Sequence, residues 1–191
     1  MFFQTSASVF AEEKTIEEKI AEQKTPITKW INAENDLIEP LSKEQQETFF
    51  IIRNKHSVIR TLRVVRDDIN KAVKLCAKEN DDLKEEINTR FDDWEEAVLP
   101  ILKEADKFLK TEIKEQSVVK PSEFRSVLKL NDKAYKFSQS KIKKQPVSDE
   151  KSCKGLIKSM DKTEDELIAL LQNILLPEEV VKERLEQENK T

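Results

Sequence analysis

Ala77-Lys78-Glu79-Asn80-Asp81-Asp82-Leu83-Lys84-Glu85-Glu86 decides the fold, because it interrupts what would otherwise be one amphipathic helix. Upstream, Phe49, Ile52, Ile59, Leu62, Val65, Ile69, Val73 and Cys76 recur at helical spacing and mark one apolar face. Downstream, Leu83, Ile87, Phe91, Trp94, Val98, Ile101, Ala105, Phe108 and Ile113 continue it in nearly the same phase. One solution is therefore a straight rod from Phe49 to Ile113, paired with a second copy as a coiled coil. Asn80, Asp81 and Asp82 argue for the other solution. Their side chains bond their own backbone and disfavour helix interiors, and Asp82 with Glu85 reads as a cap before Leu83. A cap is worth only about 1 kcal/mol, so packing must support the turn. A chain that doubles back buries both stripes within one molecule. The expectation is an antiparallel helical hairpin with arms of roughly 50 Å at the rise of an α-helix. Its first arm opens at Ser42-Lys43-Glu44-Gln45, where Ser42 and Gln45 fit a capping box.

Outward from the hairpin the same periodicity persists. Thr15-Ile16-Glu17-Glu18 is a further capping box, and Ile16, Ile20, Ile27, Trp30, Ile31 and Leu37 share a face. Pro26, with Thr25 as its cap, predicts a break or kink near residue 25, and Pro40 ends that segment. Pro100 predicts a kink without a stop, because Ile101, Leu102 and Ala105 resume the stripe at once. A helix capped by Ser122 follows, carrying Phe124, Val127, Leu128, Tyr135, Phe137 and Ile142, with Asn131 and Ser138 weakening its face. Residues 141–148 form a basic linker containing Pro146. The last strong stripe is Leu156, Ile157, Met160, Leu167, Ile168, Leu171, Ile174 and Leu175, with a helix restart at Thr163 and Glu166 as an option. Together these predict an all-α, elongated, up-and-down antiparallel bundle of four to five helices with kinks at Pro26 and Pro100. Residues 15–176 make one domain, 1–14 a tail, and 177–191 a polar coda.

Composition agrees. Charged residues make up 38% of the chain and glycine occurs once, the palette of long helices. The 34 basic and 38 acidic residues nearly cancel, which gives no basic excess for nucleic acid. No apolar run reaches the roughly 20 residues of a transmembrane segment.

Cys76 and Cys153 are the only cysteines. Two buried thiols would be ordinary in a cytosolic protein. If the helices alternate, however, Cys76 ends one helix at the pole where Cys153 begins another, so the sequence predicts a disulfide between them. That bridge favours an exported or periplasmic setting, with the cytoplasm as the alternative. Val9-Phe10-Ala11 before Glu12-Glu13 resembles the end of a secretory cleavage site without its positive and apolar regions. It reads either as a signal-peptide remnant or as a frayed amphipathic terminus.

The single histidine removes most catalytic chemistry. A ferritin-like metal site needs a carboxylate three residues before a histidine, and Arg53 holds that place before His56. Zinc, a nucleophile triad and a cysteine protease would all compete for His56, and one glycine cannot build a phosphate loop. No cofactor or metal is expected. What remains is a cationic stripe, Arg53, His56, Arg60 and Arg63 with Arg66 one step round. It reads either as a salt-bridged face answered by Glu17, Glu18, Glu34 and Asp36, or as a site for an anion or acidic partner. Trp30 and Trp94 lie on apolar stripes and read as core. The expectation is a non-enzymatic bundle that presents helix faces to a protein partner. The alternative is a small-ligand or anion-binding bundle with its site near Arg53, Arg60 and Arg63.

Overall fold

The computed structural model describes residues 25–177. The N-terminal tail, the Thr15 capping box, Glu17 and Glu18, and the coda beyond Pro177 lie outside the described residues. Among the described residues five α-helices follow one another: α1 Pro26–Ile38, α2 Lys43–Glu79, α3 Lys84–Glu115, α4 Pro121–Ser140 and α5 Glu150–Ile174. No strand occurs among the described residues.

Local chemistry sets most of these boundaries. Thr25 caps α1 by accepting from the Thr28 amide at 3.2 Å, and Pro26 opens the helix where its missing donor costs nothing. The break expected near residue 25 is thus a helix start. Ser42 and Gln45 form the reciprocal capping box of α2. Gln46 then donates to the Ile38 and Leu41 carbonyls, tying the α1–α2 corner.

The reversal falls where Asn80 predicts it. Asn80 ends α2, a single 3-10 turn spans Asp81–Leu83, and α3 leads back. Asp82 is not the cap expected of it. Leu83 occupies the cap position of α3 without a side-chain bond, because the 3-10 turn delivers the Leu83 side chain into the core and leaves Asp82 exposed. Pro100 sits exposed within α3, and the helix continues through it.

Two further expectations are corrected. Ser122 lies inside the first turn of α4 and does not cap it. Pro121 starts the helix one residue earlier, with Lys120 in a cap position that makes no side-chain bond. No restart occurs near Thr163: α5 is continuous, and the Thr163 hydroxyl donates to the Ser159 carbonyl at 2.7 Å, a bond within the helix.

The core runs the length of the α2–α3 hairpin. Phe49, Ile52, Ile59, Leu62, Val73 and Cys76 from α2 meet Ile87, Phe91, Trp94, Val98, Leu102, Ala105, Leu109 and Ile113 from α3, with Met160 and Leu171 of α5. Val65 departs from the expected stripe and is exposed. α5 lies chiefly along α3, and α1 lies along α4. At the far pole Phe49 and Phe124 meet with ring centroids 4.6 Å apart, which seats the start of α4 beside the start of α2. The two helices therefore run parallel, and residues 141–149 carry the chain on to the reversal pole.

Candidate functional site

The cationic stripe occupies the middle of α2. A step of three residues falls about 60° short of a full helical turn, so successive members drift round the helix and face different neighbours. Arg53 turns to α1, with Nε 3.8 Å from a Glu34 carboxylate oxygen and the guanidinium over Phe50. His56 and Arg60 turn to α4. His56 Nε2 lies 3.5 Å from Asp132 Oδ1. Arg60 donates to Asn131 and stacks 4.3 Å from the Tyr135 ring centroid, with Asp132 3.4 Å away. Arg63 and Arg66 turn to α3, where Arg63 meets Asp106 at 2.5 Å and Arg66 Nε donates to Glu95 at 2.5 Å.

The stripe is therefore answered by the chain's own acids, though mostly not by those expected. Among the described residues Glu34 is the one expected acid that pairs with it, and Asp132, Asp106 and Glu95 are further partners; Glu17 and Glu18 lie outside the described residues. Asn131, expected to weaken α4, is buried and accepts from Arg60. Burial pushes the His56 pKa below its ordinary value; Asp132 opposes the shift, while Arg60 and Arg63 add to it. At Asp106 burial acts to raise the pKa, but hydrogen bonds from Lys110 and Arg63 prevail and hold the carboxyl below its usual range. His56 Nδ1 and Arg60 Nε are buried without a hydrogen-bond partner among the described residues.

Beside the stripe lies an open cleft of about 280 Å³ between α2, α3 and α4. Leu109, Ile113 and Leu128 line it together with His56, Arg63, Lys110, Arg125 and Lys129, against Asp106 and Asp132. Cations outnumber acids there, yet the acids already hold Arg63 and Lys110. Trp94 is buried against Phe91, as expected of a core residue, while Trp30 is half-buried and donates to Glu34 at 3.0 Å.

The sequence reading missed the buried pair at the far pole. Lys55 Nζ bonds Glu112 at 2.7 Å and the Leu176 carbonyl at 3.2 Å, and lies 5.0 Å from the centre of the Phe108 ring. The signal was present: Lys55 falls between Ile52 and Ile59 on the apolar stripe, the position that buries a side chain whatever its charge. On α3, Arg90 reaches Asp161 and Glu164 of α5, a contact between distant segments that no local spacing announces.

At the opposite pole Cys76 and Cys153 form a disulfide with their Cα atoms 5.8 Å apart. Both residues are fully buried. Asn80 holds the linker over the bridge, donating to the Ser148 carbonyl at 2.8 Å. Among the described residues no three of His, Cys, Asp and Glu are grouped to hold a metal ion, and no helix is long and apolar enough to cross a membrane. No protein-family model, curated protein or solved structure matches the chain.

Proposed function

We propose that the chain is a non-enzymatic helical bundle that acts by presenting helix faces to a protein partner in an exported compartment such as a periplasm. The observation that carries this reading is the internal neutralisation of the cationic stripe. Guanidinium groups that would grip a small anion are engaged by Glu34, Asp132, Asp106 and Glu95, so the bundle offers the outside its helix surfaces. The buried disulfide supports the compartment, since thiols are kept reduced in the cytosol of most cells.

Site-specific photocrosslinkers at exposed Asn54, Thr61, Lys71, Lys103, Ser126, Lys144 and Lys158 test it in the source cell. A discrete crosslink to one other polypeptide, clustered on one face, is expected. No discrete product at any position contradicts a partner-binding role.

The 280 Å³ cleft favours a second reading, a small-anion site, because its cations exceed its two acids. Saturable stabilisation by phosphate or a short carboxylate, abolished by Arg125→Glu with Lys129→Glu, would support it. Melting temperatures indifferent to both anions would remove it.

A further inference from the structure

Among the described residues α2 has no full-length neighbour on one side. α4 runs beside its first half, with Phe124 level with Phe49 and Asn131 and Asp132 level with Arg60. At Ser140 the helix ends, and residues 141–149 continue along the second half. Lys144 bonds Asp68, and Val147 reaches the level of Cys76. Among the described residues a bare stretch of linker thus stands where a helix roughly 10 Å across would fit. Pro146 within it cannot donate a backbone hydrogen bond.

The result is a groove of about 550 Å³ between α2 and the linker. Ala72 and Leu75 of α2 and Pro146 and Val147 of the linker give it apolar walls. Val65, two helical turns before Ala72 on the same face, is 37% exposed, and Ile142, two residues before Lys144, is 57% exposed. The rim is basic. Lys71 and Lys144 line it, Lys141 and Lys143 stand nearby in sequence, and Asp68 is its one lining acid. Asp68 is already engaged by Lys144 and Lys71, and the Lys144 hydrogen bond is the main cause that holds its carboxyl below the usual range.

We infer that this groove is the docking surface for the partner, and that its occupant is an amphipathic helix of another protein whose apolar stripe is flanked by carboxylates. The assignment rests on the partner-binding reading above and adds to it the surface and the chemistry. An apolar stripe on the incoming helix would complete the fourth position of the bundle along Ala72 and Leu75. Flanking glutamates would meet Lys71, Lys141 and Lys143, which sets orientation and encounter rate more than raw affinity.

The test uses the full chain and two synthetic helices of about four turns, each with a leucine stripe, one flanked by glutamates and one by lysines. Fluorescence anisotropy should show saturable binding of the glutamate helix, about tenfold tighter than the lysine helix. Amide exchange in residues 142–149 should slow on binding. Lys71→Glu with Lys143→Glu, both exposed positions, should reverse the preference while the circular dichroism stays unchanged. Equal binding of the two helices, or binding that leaves exchange at 142–149 untouched, overturns the assignment. So does slow exchange there in the free chain that is lost when residues 1–24 are deleted, because the groove would then be filled from within. Photocrosslinks clustered on another face would sink this surface and leave partner binding standing.

Discussion

Asn80 holds Ser148 across 68 residues of sequence, its side-chain amide donating to the Ser148 carbonyl at 2.8 Å while also bonding the Cys76 carbonyl at 3.1 Å. One side chain therefore ends α2 and pins the returning linker. The residue that turns the chain also brings Cys153 beside Cys76, since Asp149, next to Ser148, caps α5 through the Ser152 amide.

The disulfide closes a loop with a sequence separation of 77 residues. Cys76→Ser with Cys153→Ser is expected to lower unfolding free energy by about 4.5 kcal/mol on the chain-entropy model. Urea denaturation of the oxidised protein and the double variant measures this. A difference under about 1 kcal/mol would show that the denatured chain is not constrained by the bridge.

Lys55 and Glu112 are a nearly buried pair, with side chains 6% and 13% exposed. Lys55→Ala removes the charge-assisted hydrogen bond to Glu112 and should cost about 1.5 to 3 kcal/mol. Lys55→Met combined with Glu112→Leu should cost less than Lys55→Ala alone, because apolar side chains of similar volume often replace a buried ion pair at little cost. Chemical denaturation of these variants gives the ordering directly.

His56 makes stability depend on pH. Its folded pKa lies below the ordinary value of 6.5, chiefly through burial. The unfolded chain therefore takes up the proton first as pH falls. The contribution is complete above roughly pH 6.5 and declines as pH drops toward the folded pKa. Melting temperature should fall from about pH 7 to pH 5, and His56→Gln should flatten that part of the profile. An unchanged slope in the variant would assign the dependence to other groups.

Gly155 sits exposed within α5, and nothing lies within 4 Å of the place a Cβ would occupy. Gly155→Ala should raise stability by about 0.5 to 1 kcal/mol, through helix propensity and a less disordered unfolded chain. Thermal melts of the two proteins settle the sign.

The hairpin was legible because Asn80, Ser42 and the long stripes agree: local caps and apolar period both demand a turn at the same place. The disulfide followed from that topology. Less legible were sites where one residue type serves two local roles. A threonine can cap a helix or bond back within it, and Thr163 does the latter inside an unbroken α5, whose buried residues Met160 and Leu171 are bridged by the partly buried Leu167 and Ile168. The partners of the cationic stripe were mostly hidden. Asp132 and Asp106 lie far from it in sequence, and only the packing of α3 and α4 brings them near. Val65 kept the stripe's spacing but is exposed.

The most direct check on the doubled-back chain is peptide mapping of the unreduced protein, taken as a monomer from its native compartment. One linked pair of peptides, containing Cys76 and Cys153, and no alkylatable thiol are expected. Two free thiols, or a bridge found only between copies, would contradict the account.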